Sequence, residues 1–347
     1  MPIDNLLELE ETGVSSGLRG LKILIYGKNT LGKTPQAMKF PKPLLLMGES
    51  GGTAIKGYKK STHKKKDFID IVSQLTNEKT LDKMQEKFQT IILDCAEDII
   101  EIFEVALARE YGVKDVGEIQ QLEKGNPNGY SVYRKDFKQQ INLLTSVGYT
   151  VIFISHEQVI DIEDENGNKI GQKIQPKGSK SEGSSARFIK DLCDYRFYIK
   201  GNGIDLSTNK TIMSTAWCVE TSEFYAGSRF PIQSYVNPFT AEGIIDAIIK
   251  SQNLAAEEQN ARLEKFEIKR DNFNVQEYLN LIKPYFEKLA TLYQDETLRI
   301  VNKSLGNDEN GTPKKLSSAT IDDLARLEDV YCNLVSFACD KGIVVEI

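Results

Sequence analysis

The chain has 347 residues, 44 basic and 50 acidic side chains, and a formal net charge of −6. Two histidines and five scattered cysteines without a CxxC pair exclude His-rich metal chemistry, a zinc cage and a disulfide framework. No apolar run approaches the ~20 residues of a membrane helix, the N-terminus lacks a signal-peptide pattern, and the acidic total at first argues against a nucleic-acid binder.

In chain order, the first buried strand is Leu21–Tyr26 (LKILIY) and the second is Pro43–Met47 (PLLLM). Helical spacing over Phe68–Lys87 leads to a third strand at Thr90–Leu93. Helices over Ala96–Tyr111 and Tyr130–Ser146 precede a fourth strand at Thr150–Ile154. This alternation predicts an α/β fold with a mostly parallel central sheet covered by helices. Asp164–Gly171 carries Asn-Gly between strand-like flanks and reads as a hairpin. Gln175–Ser185 is polar and rich in Gly and Ser, so it reads as a mobile loop. Strands return at Tyr195–Lys200 and Ile212–Val219, and beyond Pro238 the pattern is helical, with a polar junction at Glu257–Lys269. Leu279, Ile282, Phe286 and Leu289 follow helical spacing. So do Ile321, Leu324, Leu327, Val330, Tyr331 and Leu334, with Asn307–Lys315 as the loop between. The terminal GIVVEI reads as a packed strand. The expected division is an extension over 1–20, an α/β core over 21–250 and a small helical domain over 251–347.

The strongest chemical signal is Gly27-Lys28-Asn29-Thr30-Leu31-Gly32-Lys33-Thr34, which matches G-x-x-x-x-G-K-[ST]. Ordinary residue frequencies produce such a match in about one chain in a hundred of this length. Here a buried strand enters it and a short helical segment leaves it, as a phosphate-binding loop requires. Gly27 and Gly32 let backbone N–H groups converge on phosphate oxygens. Lys33 is expected to pair with the β- and γ-phosphates of ATP, and Thr34 to help hold Mg²⁺. Asp94, at the end of the third strand, is the expected second Mg²⁺ ligand. Glu97 and Asp98 are explained by the dipole of the helix they begin. Glu49 follows PLLLM among glycines and is a candidate water activator. His156, after the fourth strand, lies where ligands bind in open α/β sheets and is a candidate γ-phosphate sensor.

These motifs resemble the RecA-like P-loop ATPases, specifically the phage AAA-domain group that includes single-domain recombinases and annealing proteins. The likeness spans about residues 20–240. It rests on LKILIYGKNTLGKT, on Met47-Gly48-Glu49-Ser50-Gly51-Gly52, on Asp94, on Ile154-Ser155-His156 and on Cys193-Asp194-Tyr195. The resemblance implies a catalytic role for Glu49 and an arginine finger at Arg229, acting on a neighbour's nucleotide. It also implies contact with single-stranded DNA through the segment holding Lys177, Lys180 and Arg187. Asp94-Cys95 departs from the family's Asp-Ser or Asp-Thr, so no hydroxyl is available at position 95.

A second basic run, Lys56–Lys66 (KGYKKSTHKKK), holds six lysines and Tyr58 and is equally consistent with a DNA contact and with a solvated face. Residues 251–347 contain 12 basic and 17 acidic side chains, a net of −5, which leaves 1–250 at −1. The acidic total is therefore local to the C-terminal region and does not exclude DNA binding by the core. The reading is an ATP- and Mg²⁺-dependent recombination protein that binds single-stranded DNA and promotes annealing or strand exchange. It is expected to be cytoplasmic, in the host cell if phage-encoded, to self-associate without a membrane, and to dock a single-strand-binding or other replication protein through its C-terminal region. A replication helicase or helicase loader, and a nucleotide-switched binding module without catalysis, are the alternatives.

Overall fold

The computed structural model describes residues 11–48, 55–122, 128–178, 184–267, 275–307, 311–320, 323–343 and 345. Two compact units divide the chain, one over residues 11–268 and one from residue 269 onward. Among the described residues no helix is long and apolar enough to cross a membrane.

The first unit contains, in order, β1 (Val14–Ser16), β2 (Lys22–Gly27), α1 (Lys33–Ala37), β3 (Pro43–Met47), β4 (Tyr58–Ser61), α2 (Lys65–Thr76), α3 (Leu81–Lys87), β5 (Thr90–Asp94) and α4 (Ala96–Glu110). It continues with α5 (Ile119–Leu122), α6 (Gly129–Ser146), β6 (Thr150–Ser155), β7 (Glu157–Glu163), β8 (Lys169–Pro176), α7 (Ser184–Leu192) and β9 (Tyr195–Lys200). Short strands β10 (Ile204–Asp205), β11 (Lys210–Thr211), β12 (Thr215–Trp217), β13 (Gly227–Ser228) and β14 (Tyr235–Val236) follow, then α8 (Ala241–Glu258) and β15 (Leu263–Lys265).

Nine strands form the central sheet, in the order β14-β12-β9-β2-β6-β5-β3-β4, with β13 also on β9. The six strands from β9 to β4 are parallel; β12, β13 and β14 are antiparallel additions. The apolar runs in the sequence exist because strands inside a parallel sheet are covered on both faces. Along β2, Leu24 and Tyr26 face a core shared with Phe68, Phe103 and Phe137 of α2, α4 and α6. Ile23 and Ile25 face the opposite core, with Ala37 of α1 and Ile244 and Ile248 of α8. Alternate side chains thus bind one strand into two helical layers.

Several local expectations change. The helix expected over Phe68–Lys87 is two helices, because Asn77 leaves the helical region and its side chain accepts the Lys79 N–H at 3.0 Å. The hairpin is present as β7–β8 and is longer than its Asn-Gly turn suggests. Of Ile212–Val219, only Thr215–Trp217 joins the sheet. The polar junction contains β15, which pairs in parallel with β1, so residues 14–16 of the expected N-terminal extension are part of the first unit. Residue 250 falls inside α8, whose buried Ser251 and Gln252 bond Tyr195 and the backbone of Gly17, and the unit runs on to residue 268.

The second unit is helical: α9 (Val275–Leu292), α10 (Gln294–Leu305) and α11 (Leu324–Asp340). Tyr278, Ile282, Leu289, Val301, Leu305, Leu327, Val330 and Leu334 make its core, which follows the helical spacing in the sequence. Ile321, Val344, Glu346 and Ile347 lie outside the described residues, whereas Ile343 and Val345 pack against this core without forming a strand among the described residues.

Candidate nucleotide site

The carboxyl ends of the parallel strands gather the site. Tyr26 of β2 pairs with Ser155 of β6, and Asp94 of β5 pairs with Ile154 of β6, so Gly27, Asp94 and His156 lie at one end of the sheet. The order β2-β6-β5 separates the loop strand from the Asp94 strand by one strand.

The loop from Gly27 to Gly32 leaves β2 and opens α1. A side chain at Gly27 would put its Cβ 2.4 Å from the Ile199 carbonyl oxygen, so only glycine lets β9 approach there. Gly32 has φ 81° and precedes Lys33 in the left-handed region, with open space where a Cβ would stand. Lys33 is buried, and its Nζ donates to the carbonyl oxygens of Gly27 (2.8 Å) and Lys28 (2.6 Å). Burial lowers the Lys33 ammonium pKa, opposed by the fields of Cys95, Asp94 and Glu97. The Thr34 hydroxyl donates to Asp94 Oδ2 at 2.7 Å.

Oxygen donors suit Mg²⁺, and a hydroxyl on a carboxylate at the head of a glycine loop supplies two. The loop's open side at Gly32 leaves room for phosphate, and Lys33 needs only to exchange carbonyl partners for phosphate oxygens. Lys33, Thr34, Asp94 and the loop backbone therefore fit Mg²⁺-bound nucleotide. Beside the loop lies a cavity of about 530 Å³ lined by Thr30, Leu31, Gly201, Ile204, Ile212, Met213 and Phe239. Its size and apolar walls suit a nucleoside.

A second cluster adjoins Asp94. Glu97 is 3% exposed, and its Oε1 accepts the His156 backbone N–H at 3.2 Å and lies 2.7 Å from His156 Nδ1. Glu97 Oε2 is buried without a hydrogen-bond partner among the described residues. Cys95 Sγ stands 3.6 Å from His156 Nδ1 and 3.5 Å from Asp94 Oδ1. Burial, then the Glu97 and Asp94 carboxylates, raise the thiol pKa, so Cys95 stays protonated and a weak nucleophile. The His156 carbonyl accepts the Lys177 N–H at 2.7 Å and the Ser155 hydroxyl at 3.1 Å. His156 is thus bonded to both the Asp94 side of the site and the end of the β7–β8 hairpin.

Glu97 is the residue that the helix-dipole explanation underestimates. A turn of only Cys95 and Ala96 separates it from Asp94, so it begins a helix at the same strand end. That proximity, Asp94 followed at the third position by Glu97, is the sequence signal.

The remaining expected residues are distributed as follows. Lys28, Asn29, Thr30 and Leu31 form the loop between Gly27 and Gly32. Glu49 and Lys180 lie outside the described residues. Lys177 is exposed at the end of β8, and Arg187 belongs to α7. Arg229 follows β13, where Ser228 pairs with Tyr195 at the amino end of β9. Its Nε lies 3.4 Å from Asp194 Oδ1, and Asp194 also accepts the Lys22 N–H at 2.9 Å. Arg229 therefore sits at the end of the sheet opposite the loop, and the structure does not join it to the nucleotide site of its own chain.

A family model described as an AAA domain matches residues 19–230. The SPbeta prophage-derived uncharacterized protein YorG of Bacillus subtilis (strain 168) is 37% identical over 246 residues, which cover 69% of this chain and 68% of that protein.

Proposed function

The chain belongs to this AAA-domain family of P-loop ATPases, and on that premise we propose that it is an ATP-hydrolysing DNA-recombination protein of phage type. In this proposal it binds single-stranded DNA and promotes annealing or strand exchange. The observation that carries the ATPase part is the Thr34–Asp94 contact of 2.7 Å beside the buried Lys33, at the mouth of the glycine loop. The prophage-derived relative supports the phage-type part, and the exposed Lys177 with the polar residues that follow it in sequence supports the DNA part.

Loop N–H groups and Lys33 bind and orient the triphosphate, while Thr34 and Asp94 would hold Mg²⁺. Bound there, Mg²⁺ would offset the negative charge of the phosphates. Glu49 accepts the proton of the attacking water. Glu97 fixes the His156 ring, and His156 passes the state of the site to the Lys177 end of β8 through its carbonyl bond. Lys177, Lys180 and Arg187 contact DNA phosphates. Protomers assemble with ATP between them, and Arg229 acts in trans only where a neighbour's site faces the amino end of β9.

ATPase rate measured against protein concentration, with and without an oligo-dT strand, tests the proposal. The expected result is a rate per protomer that rises with concentration and again with DNA, together with ATP-dependent pairing of complementary strands. Unwinding of tailed duplexes would assign a helicase instead. Slow turnover indifferent to DNA would assign a nucleotide-switched binding module.

A further inference from the structure

We propose that the lysine-rich outer edge of the central sheet, β4 and the start of α2, is a phosphate track for single-stranded nucleic acid. It rests on the DNA-binding reading above and gives the strand a second, separate surface.

β4 is the outermost strand of the sheet on this side. Tyr58 and Lys60 alternate onto one face of it. Tyr58 is 55% exposed and lies edge-on to Phe88 at 5.3 Å, with Lys87 Nζ 4.7 Å from its ring centroid. Lys56 precedes the strand, and His63, Lys64 and Lys66 follow it, all exposed. Lys65 is held by Asp136, whereas Lys60, Lys64 and Lys66 have no ion-pair partner among the described residues. The edge runs into a groove of about 580 Å³ between α2 and α4, lined by His63, Lys64, Lys66 and Arg109, with Gly48 at the carboxyl end of β3. Asp98 and Glu101 also line the groove, so it is cationic only where the lysines stand.

Four features select a single strand of nucleic acid among polyanions. Residues two apart along β4 stand about 6.7 Å apart, close to one nucleotide of an extended backbone. Unpaired lysines neutralise phosphates without reading bases. The exposed Tyr58 ring offers a stacking face within the cationic run. The edge of β4 not bonded to β3 has backbone N–H groups that can donate to phosphate oxygens. Lysines on an edge strand also guard against edge-to-edge aggregation, and the experiment must separate the two roles.

The test compares the wild type with K60A/K64A/K66A and with the same three positions as arginine. Binding of a labelled oligo-dT strand is followed by anisotropy from 50 to 200 mM salt. Three lost phosphate contacts lower the slope of log K against log salt by about 2, so the loss of affinity across that range shrinks about 20-fold. The arginine variant keeps the wild-type slope, and the ATPase rate without DNA is unchanged in both. An unaltered slope in the alanine variant, with or without aggregation, overturns the track while leaving the DNA-binding reading intact. Equal loss of binding to vesicles of anionic phospholipid, with oligo-dT binding kept, overturns it in favour of a membrane surface. A wild type that does not bind oligo-dT removes the DNA-binding reading itself, and the track with it.

Discussion

Lys33→Met separates the two tasks of the buried lysine. In the nucleotide-free protein its ammonium is desolvated, and its pKa lies below the usual lysine value. A lysine with a lowered folded pKa binds its proton less readily when folded, so at neutral pH the charge works against folding. That penalty fades as pH rises through the folded pKa. Methionine removes the desolvated charge and also two hydrogen bonds, to the Gly27 and Lys28 carbonyls, worth about 0.5–1.5 kcal/mol each. The two effects oppose each other, so the nucleotide-free melting temperature changes by only ~2 °C. Nucleotide binding behaves differently. Two charge-assisted bonds to phosphate contribute together about 3 kcal/mol, or roughly 150-fold in affinity. With Mg²⁺-ATP analogue at 100 times the wild-type Kd, stabilisation falls from about 2.7 to about 0.3 kcal/mol. For a unit of this size that is a melting shift of about 5–10 °C in the wild type and ~1 °C in the variant. Trp217, the only tryptophan and a residue of the first unit, reports the transition by fluorescence. A full nucleotide-induced shift in Lys33→Met would refute the assignment of Lys33 to phosphate. A collapse of the nucleotide-free fold would refute the balance of charge and hydrogen bonds.

Glu97→Ala deletes the acceptor that holds the His156 backbone N–H and ring Nδ1, a loss of about 1.5–3 kcal/mol for the charge-assisted bond. Turnover at saturating ATP should fall about 10- to 100-fold while the nucleotide-induced melting shift persists, and normal turnover would reject the positioning role. In the second unit, the buried Asp323 accepts from Lys314 Nζ at 2.6 and 2.8 Å and from the Thr320 N–H at 2.9 Å. These bonds hold its carboxyl below the usual carboxylate range. A lowered folded pKa gives stability that is present above the unfolded value of about 4 and is lost as pH falls through the folded one. Asp323→Asn should therefore weaken α11 by about 1–3 kcal/mol at pH 7. Hydrogen exchange of α11 should show that gap closing at acid pH; a gap that does not depend on pH would contradict it.

The nucleotide loop and the parallel sheet were legible from residues alone because both are local. A run such as Leu21–Tyr26 records burial on both faces of a strand, and Gly27 to Thr34 record one turn of backbone. The helical spacing after Leu279 likewise records a face that must be covered. Long-range pairing has no such local mark. Nothing in the polar residues 257–269 announces that Leu263–Lys265 will pair with Val14–Ser16, since three residues carry too little pattern to specify a partner 249 positions away. Glu97 looked like a helix-start acid until β6 brought His156 to within 2.7 Å of it. Arg229 looked free to serve a nucleotide until β13 placed it beside Asp194, at the far end of β9 from the loop. The lysines of 56–66 are plain in the sequence, but only the strand order puts them on the sheet's outer edge. Sequence by itself determined which residues must be buried and where a phosphate loop must turn, because those depend on neighbours in the chain. Which titratable groups meet at the site was decided by tertiary structure, because strand order and register set distances that chain separation does not encode.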